Sequence, residues 1–193
     1  MPVPTVRLLA FAGSGRKDSL NRRLLAAAVA IAQEQGAEVT LLDLKADTLP
    51  LYDGDLEAAG MPARVIELKR LFAAHDGFLI ASPEYNSFFT PLLKNTIDWL
   101  SRPAPAGVPE ALSGRTAAIF GASPGVLGGI RGLPYVRLLL SRLGVLVSPN
   151  ELAVGNAAKV IGDGKLDDPK LQQALAGVVG DLIRLTAARQ ATR

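Results

Sequence analysis

Apolar residues in this chain come in short, nearly solid runs, separated by stretches in which they recur every three or four positions. The run "VRLLAFA" (6–12) stops at a glycine, and residues 20–35 carry good helix formers with Gly36 behind them as a stop signal. The same alternation recurs down the chain. Runs at 37–44 ("AEVTLLDL"), 77–85 ("GFLIASPEY"), 115–123 ("RTAAIFGAS") and 145–154 ("VLVSPNELAV") read as strands, and stretches at 62–74, 91–101, 134–143 and 169–188 as helices. Five strands thus alternate with five helices. Strands that are apolar almost throughout, not at every second residue, belong to a parallel sheet covered on both faces, so the pattern predicts an α/β, three-layer, doubly wound domain over residues 1–193. The segments 101–114 and 155–169 read as surface connections because the alternation continues across them.

Ligands of such sheets sit beyond the carboxyl ends of the strands. That directs attention to three segments, beginning at Gly13, Pro83 and Gly121. The first, "GSGRKDSLN", opens a helix, where unpaired backbone N–H groups and the positive end of the helix dipole favour an anion. Ser14, Arg16, Ser19 and Asn21 add side-chain donors, a set suited to a terminal phosphate. Asp18 stands where a dinucleotide fingerprint needs its last glycine, and no Gly-Lys-Ser/Thr of a P-loop occurs. The plainer reading is that Ser19 caps a helix and the two glycines make a turn. In the second segment Pro83, Glu84, Tyr85 and Asn86 can grip the polar edge of a planar heterocycle, or can be surface, core and turn residues respectively. The third, "GASPGVLGGIRG", lets main chain approach a flat ligand. It also matches the nucleophile elbow G-x-S-x-G at Ser123, but Pro124 has no N–H for an oxyanion hole, and the one histidine, His75, precedes the serine at the expected end of a helix.

Composition narrows the classes. With 193 residues, 49% hydrophobic and 20% charged, the chain is globular, and no apolar run approaches the roughly 20 residues of a membrane span. The charge of +3 is scattered, which does not imply nucleic acid, and the absence of cysteine excludes disulfides and thiolate chemistry and fits a cytoplasmic location. An Ala-x-Ala match at Ala10 and Ala12 follows an apolar stretch at the short limit for a signal core, and a first buried strand is the reading adopted. Acidic spacings at 52–57 and 162–168 lack the full register of a calcium loop and read as solvated turns.

In this order, each after its own strand, "GSGRKDSLN", "PEYN" with "LKNTIDWLSR", and "GASPGVLGGIR" resemble the NAD(P)H-dependent FMN reductase family, which includes quinone, chromate and azo-compound reductases. The likeness runs from Arg7 to Leu143. It implies a flavodoxin-like sheet of five parallel strands in the order 2-1-3-4-5, with FMN held non-covalently and NADPH or NADH as electron donor. It places Ser14, Arg16, Ser19, Leu20 and Asn21 around the phosphate, Pro83, Glu84, Tyr85 and Asn86 at the ribityl chain and ring edge, and Ser123 and Gly125 against the ring. It further implies a small-molecule acceptor and a homodimer or homotetramer, with Trp99, Phe88 and Phe89 as interface candidates. Where the family usually has a Pro-Gly pair after the asparagine, this chain has "SFFTP", and Val126 and Leu127 stand at the tip of a third loop poorer in glycine than many. Since the flavin carries the hydride chemistry, ping-pong turnover is expected with no catalytic side chain. The alternatives are a flavodoxin-type electron carrier, which the weakly basic charge disfavours, and a serine hydrolase using Ser123.

Overall fold

The computed structural model describes residues 5–46, 48–162 and 164–192. Strand β1 (Arg7–Ala12) leads into helix α1 (Leu20–Glu34), which ends at Gln35 with Gly36 at a φ of 88° turning the chain into β2 (Glu38–Leu42). There follow α2 (Gly54–Ala59), α3 (Ala63–Ala73), β3 (Gly77–Ala81), α4 (Pro91–Ser101), β4 (Thr116–Ala122), α5 (Leu133–Arg142), β5 (Leu146–Val147), β6 (Leu152–Val154), a short 3-10 turn (Ala157–Lys159) and α6 (Pro169–Gln190). All strand pairings are parallel, in the order β2-β1-β3-β4-β5, with β6 also paired to β4. The fold is flavodoxin-like.

Successive strand residues enter opposite layers, as a period of two requires. Leu8, Ala10, Leu79, Ala81, Ala118 and Phe120 pack with α1 and α6, whereas Leu9, Phe11, Phe78, Ile80 and Ile119 pack with α3, α4 and α5. Phe11, Phe72 and Phe78 form a tilted aromatic triad in the second layer, with ring centroids 5.2 to 6.2 Å apart.

Several expectations are corrected. The run 145–154 is two short strands, because Pro149 cannot donate to a ladder; Arg137 satisfies the carbonyls freed at the break, donating to Ser148 O at 2.8 Å and to Val147 O and Pro149 O. β2 is an edge strand whose residues are mostly exposed, with Leu41 65% accessible, so it is not covered on both faces. The acidic stretch 52–57 builds α2: Asp53 caps it by accepting from the Asp55 amide at 2.8 Å, and Asp55 and Glu57 lie in its first turn, complementing the dipole. Strand β3 ends at Ala81, not at Tyr85, so Pro83 to Asn86 are loop. No helix among the described residues is long and apolar enough to cross a membrane, and none of their His, Cys, Asp and Glu side chains cluster as metal ligands; Asp163 of the stretch 162–168 lies outside the described residues.

Candidate functional site: the cleft at the strand ends

The loop from β1 to α1 is held from below. The amide of Gly13 donates to Ala81 O at 2.9 Å, and the Thr90 hydroxyl donates to Gly13 O at 2.6 Å while also capping α4. A Cβ on Gly13 would stand 3.1 Å from Leu93 Cβ and Thr90 Oγ1, so glycine lets this loop sit down on α4. Ser19 is the N-cap of α1, its hydroxyl accepting from the Arg22 amide at 3.3 Å. No protein acceptor meets the amides of Leu20 and Asn21 among the described residues. Those two donors, in the first helical turn, are orphans of the kind that bind anions.

Ser14, Arg16, Ser19, Leu20, Asn21, Pro83, Glu84, Tyr85 and Ser123 line one cavity of about 130 Å³ together with Ala122 and Pro124. Gly125 instead lines an adjoining cavity of about 330 Å³, which shares Glu84 and Ser123 with the first. Asn86 lines neither. It is the first residue of a tight reversal in which Tyr85 and Phe88 exchange backbone bonds of 2.8 and 3.0 Å, and Asn86 and Ser87 both hold positive φ, 52° and 66°. That is the two-residue turn joining antiparallel segments, for which asparagine is well suited.

Within the cleft the side chains divide by what they are already bonded to. Arg16 is exposed and its guanidinium has no partner among the described residues. Asn21, by contrast, is buried, and its carboxamide is committed: Nδ2 donates to Ala122 O at 2.8 Å and Oδ1 accepts from the Ala122 amide at 3.0 Å. It serves the end of β4 as a neighbouring strand's peptide would, and so ties the third loop to α1. Glu84, the one acid lining either cavity, accepts from the amides of Arg131 and Gly132 at 3.0 and 3.2 Å and from the Arg131 guanidinium through Nε at 2.8 Å and through Nη2. Among the described residues, no unpaired carboxylate therefore lines either cavity.

The third loop rests on residues the sequence reading left out. The Ser123 amide donates to Val154 O, and the Asn156 and Ala157 amides donate to Gly125 O and Ser123 O, all between 3.0 and 3.1 Å. A Cβ on Gly155 would lie 2.0 Å from Val126 O, and one on Gly128 would lie 2.7 Å from backbone atoms of residues 153–155. These two glycines let main chain pack on main chain. Pattern alone could not show it, since Gly155 belongs to a segment read as a surface connection.

The hydrolase alternative loses its geometry. Ser123 donates its hydroxyl to Gly125 O at 3.1 Å, while His75 lies at the far end of the sheet, just before β3, its ring nitrogens bonded to Leu71 O at 2.7 Å and Thr40 Oγ1 at 2.8 Å. Trp99, expected at an interface, is fully buried; its indole N–H donates to Pro50 O at 2.8 Å and Tyr52 packs edge-on against it. Asn95 completes that clamp, accepting from the Tyr52 amide and donating to Leu49 O and Pro50 O. Beside it, hydrogen bonds from Tyr52 and Arg102 hold the Glu57 carboxyl below the usual carboxylate range. Phe89 is buried as well, whereas Phe88 is exposed and stacks on Phe89 and Tyr135, with centroids 4.1 and 4.6 Å away.

A third hollow, about 220 Å³, lies between α1 and β2. Its walls include Leu25, Ala26, Val29, Ala30 and Leu41, and its charges, Arg22 and Asp43, pair with each other at 2.9 Å, so it offers nothing to a phosphate.

Comparison with known proteins bears on this cleft. The family model described as NADPH-dependent FMN reductase matches residues 6–159. A protein named NAD(P)H-dependent FMN reductase from Pseudomonas aeruginosa is 33% identical over 172 residues, covering 88% of this chain and 89% of its own length. An NAD(P)H:quinone oxidoreductase of Solanum tuberosum is 34% identical over 187 residues, covering 91% and 90%. Among solved structures, a flavoenzyme NAD(P)H:(acceptor) oxidoreductase from Paracoccus denitrificans superposes with a TM-score of 0.81 at 30% identity, covering 96% of this chain and 99% of that one.

Proposed function

Because this chain belongs to the NADPH-dependent FMN reductase family, and is an oxidoreductase that uses FMN with NADH or NADPH, we propose that the cleft at the strand ends holds the flavin and that a quinone-like acceptor is reduced there. The observation that carries this reading is the open donor array at the start of α1, the Leu20 and Asn21 amides beside an unpaired Arg16, set in the same cavity as the loops after β3 and β4. In it Ser14, Arg16, Ser19 and Leu20 hold the phosphate. Asn21 contributes its backbone amide there, while its side chain fixes the loop that meets the ring. Pro83, Glu84 and Tyr85 flank the ribityl chain and ring edge, Asn86 shapes the turn behind them, and Ser123 and Gly125 face the ring.

FMN held there would supply the two-electron chemistry between nicotinamide and acceptor. The chain's own task is orientation. The packed backbone of residues 123–129 walls the ring site, and the cavity of about 330 Å³ along that loop is open enough to admit each substrate in turn, which supports ping-pong turnover. Exposed Phe88 and Tyr135, adjoining the cleft, favour a homodimer or homotetramer whose contacts border the site.

Three measurements test the reading. Freshly purified protein is expected to be yellow, and to oxidise NADH or NADPH rapidly when a quinone is added; a carrier protein would bind flavin without that oxidation. Arg16→Ala removes a charge-assisted contact worth on the order of 1.5–3 kcal/mol, so FMN binding weakens about tenfold or more while riboflavin binding is barely touched. Equal loss for both ligands would remove the phosphate from this end of the cleft.

A further inference from the structure

The larger cavity pairs an apolar shelf with a single cation. Val126 and Leu127 line it and are 79% and 54% exposed, and Arg131 stands at its edge. The charge arrangement is lopsided. Glu84 is only 7% accessible, whereas Arg131 is 57% accessible, so a molecule entering the cavity meets the guanidinium in front of its counter-ion. The carboxylate takes Nε and Nη2, and Nη1 has no partner among the described residues. A buried anchor thus fixes the guanidinium plane and leaves an edge with free N–H groups, the geometry that receives two oxygens of a carboxylate or sulfonate.

We propose that Arg131 is a specificity-determining residue that receives the anionic substituent of an aromatic acceptor, a carboxylate or sulfonate, while the ring lies against Val126 and Leu127. This rests on the functional reading above and adds the class of acceptor. Ser123, Gly125 and Gly129 complete the wall without adding charge, and Glu84, with four donors on its two oxygens, has none of its charge unopposed. Because the guanidinium is more than half exposed, the selectivity it confers is modest, about twofold to fivefold in kcat/KM, and shrinks as salt is raised.

The test compares naphthoquinone sulfonate with unsubstituted naphthoquinone as acceptors for the flavin-loaded protein, wild type and Arg131→Gln, reading the ratio of the two kcat/KM values. Any general loss of fold, flavin or loop order strikes both acceptors and cancels in that ratio. The expected result is a ratio that falls about twofold to fivefold in the variant, carried by KM for the sulfonate, with Arg131→Lys recovering part of it. An unchanged ratio overturns the proposal. So does a change confined to NADPH against NADH, which would give the guanidinium to the donor's extra phosphate. If neither quinone supports NAD(P)H oxidation by the wild-type protein, the functional reading fails and takes this inference with it, a result distinct from turnover with an indifferent ratio.

Discussion

Asn21→Ala tests the division of labour in the cleft most sharply. The carboxamide closes two bonds, of 2.8 and 3.0 Å, with the C=O and N–H of Ala122, and all the groups involved are buried. Truncation leaves a buried carbonyl and a buried amide without partners, each costing about 1–3 kcal/mol. Water entering from the cleft recovers part of that, so a loss of roughly 2–4 kcal/mol is expected, or about 5–12 °C in Tm for a chain of this length. Asn21→Asp keeps the acceptor for the Ala122 amide but opposes a carboxylate to its carbonyl, and should be no better than alanine. Urea unfolding of the flavin-free protein gives the stability term. Flavin titration gives the second and more telling one: the side chain acts through the loop that meets the ring, so FMN and riboflavin should weaken by the same factor, the reverse of Arg16→Ala. A variant within about 0.5 kcal/mol of wild type, the ordinary range of an inconsequential surface change, would refute the bridging role. Selective loss of FMN would return the side chain to the phosphate.

Two further predictions concern parts away from the donor array. Gly155→Ala sets a Cβ 2.0 Å from Val126 O, so the third loop must retreat; a cost of about 1–3 kcal/mol and a parallel loss of FMN and riboflavin are expected by urea unfolding and flavin titration, and unchanged flavin affinity would show that the loop does not bear on the ring. Lys69 is fully buried, its ammonium donating to Leu100 O at 2.7 Å and Arg102 O at 2.6 Å at the C-terminal end of α4, and burial pushes its pKa below the ordinary 10.5. Between that lowered value and 10.5 the unfolded chain binds a proton that the folded chain does not, so stability from this residue rises with pH across the window. The difference in unfolding free energy between wild type and Lys69→Met should therefore grow on approaching 10.5, and a flat difference would contradict it.

What was legible in the sequence is what local chemistry decides. α4 runs over Pro91–Ser101 as expected, because proline is preorganised for the first turn and Thr90 caps it; α1 begins at Leu20 because Ser19 does the same. That the segments from Gly13, Pro83 and Gly121 converge on the cleft was legible because ligands of parallel sheets sit beyond the carboxyl ends of the strands, although β3 stops at Ala81 and β4 runs on to Ala122. What escaped is what only packing decides. Trp99 looked like an interface residue until Pro50 accepted its N–H, and Asn21 looked like a ligand donor until Ala122 took its amide. An apolar run across 145–154 hid a break that Pro149 should have announced. For Gly155 no local signal exists, because its reason is a carbonyl 29 positions earlier in the chain.

That separation has a functional consequence. The groups that give the cleft its shape, the buried Asn21 carboxamide, the Glu84 carboxylate and the close backbone packing at half-buried Gly155, are held within the protein, whereas the two cations proposed to meet ligands, Arg16 and Arg131, stand exposed at its two ends. A cofactor retained through many turnovers needs preorganised contacts that cost nothing to arrange at each cycle, and buried, satisfied groups supply them. Substrates that enter and leave in alternation need contacts weak enough to break, and the exposed Arg131 is of that kind, whereas Arg16 adds a charge-assisted contact to a phosphate that the start of α1 already anchors. Exchanging the exposed cations should therefore redirect what the protein binds and leave its fold intact, while changing the buried groups should loosen every ligand together.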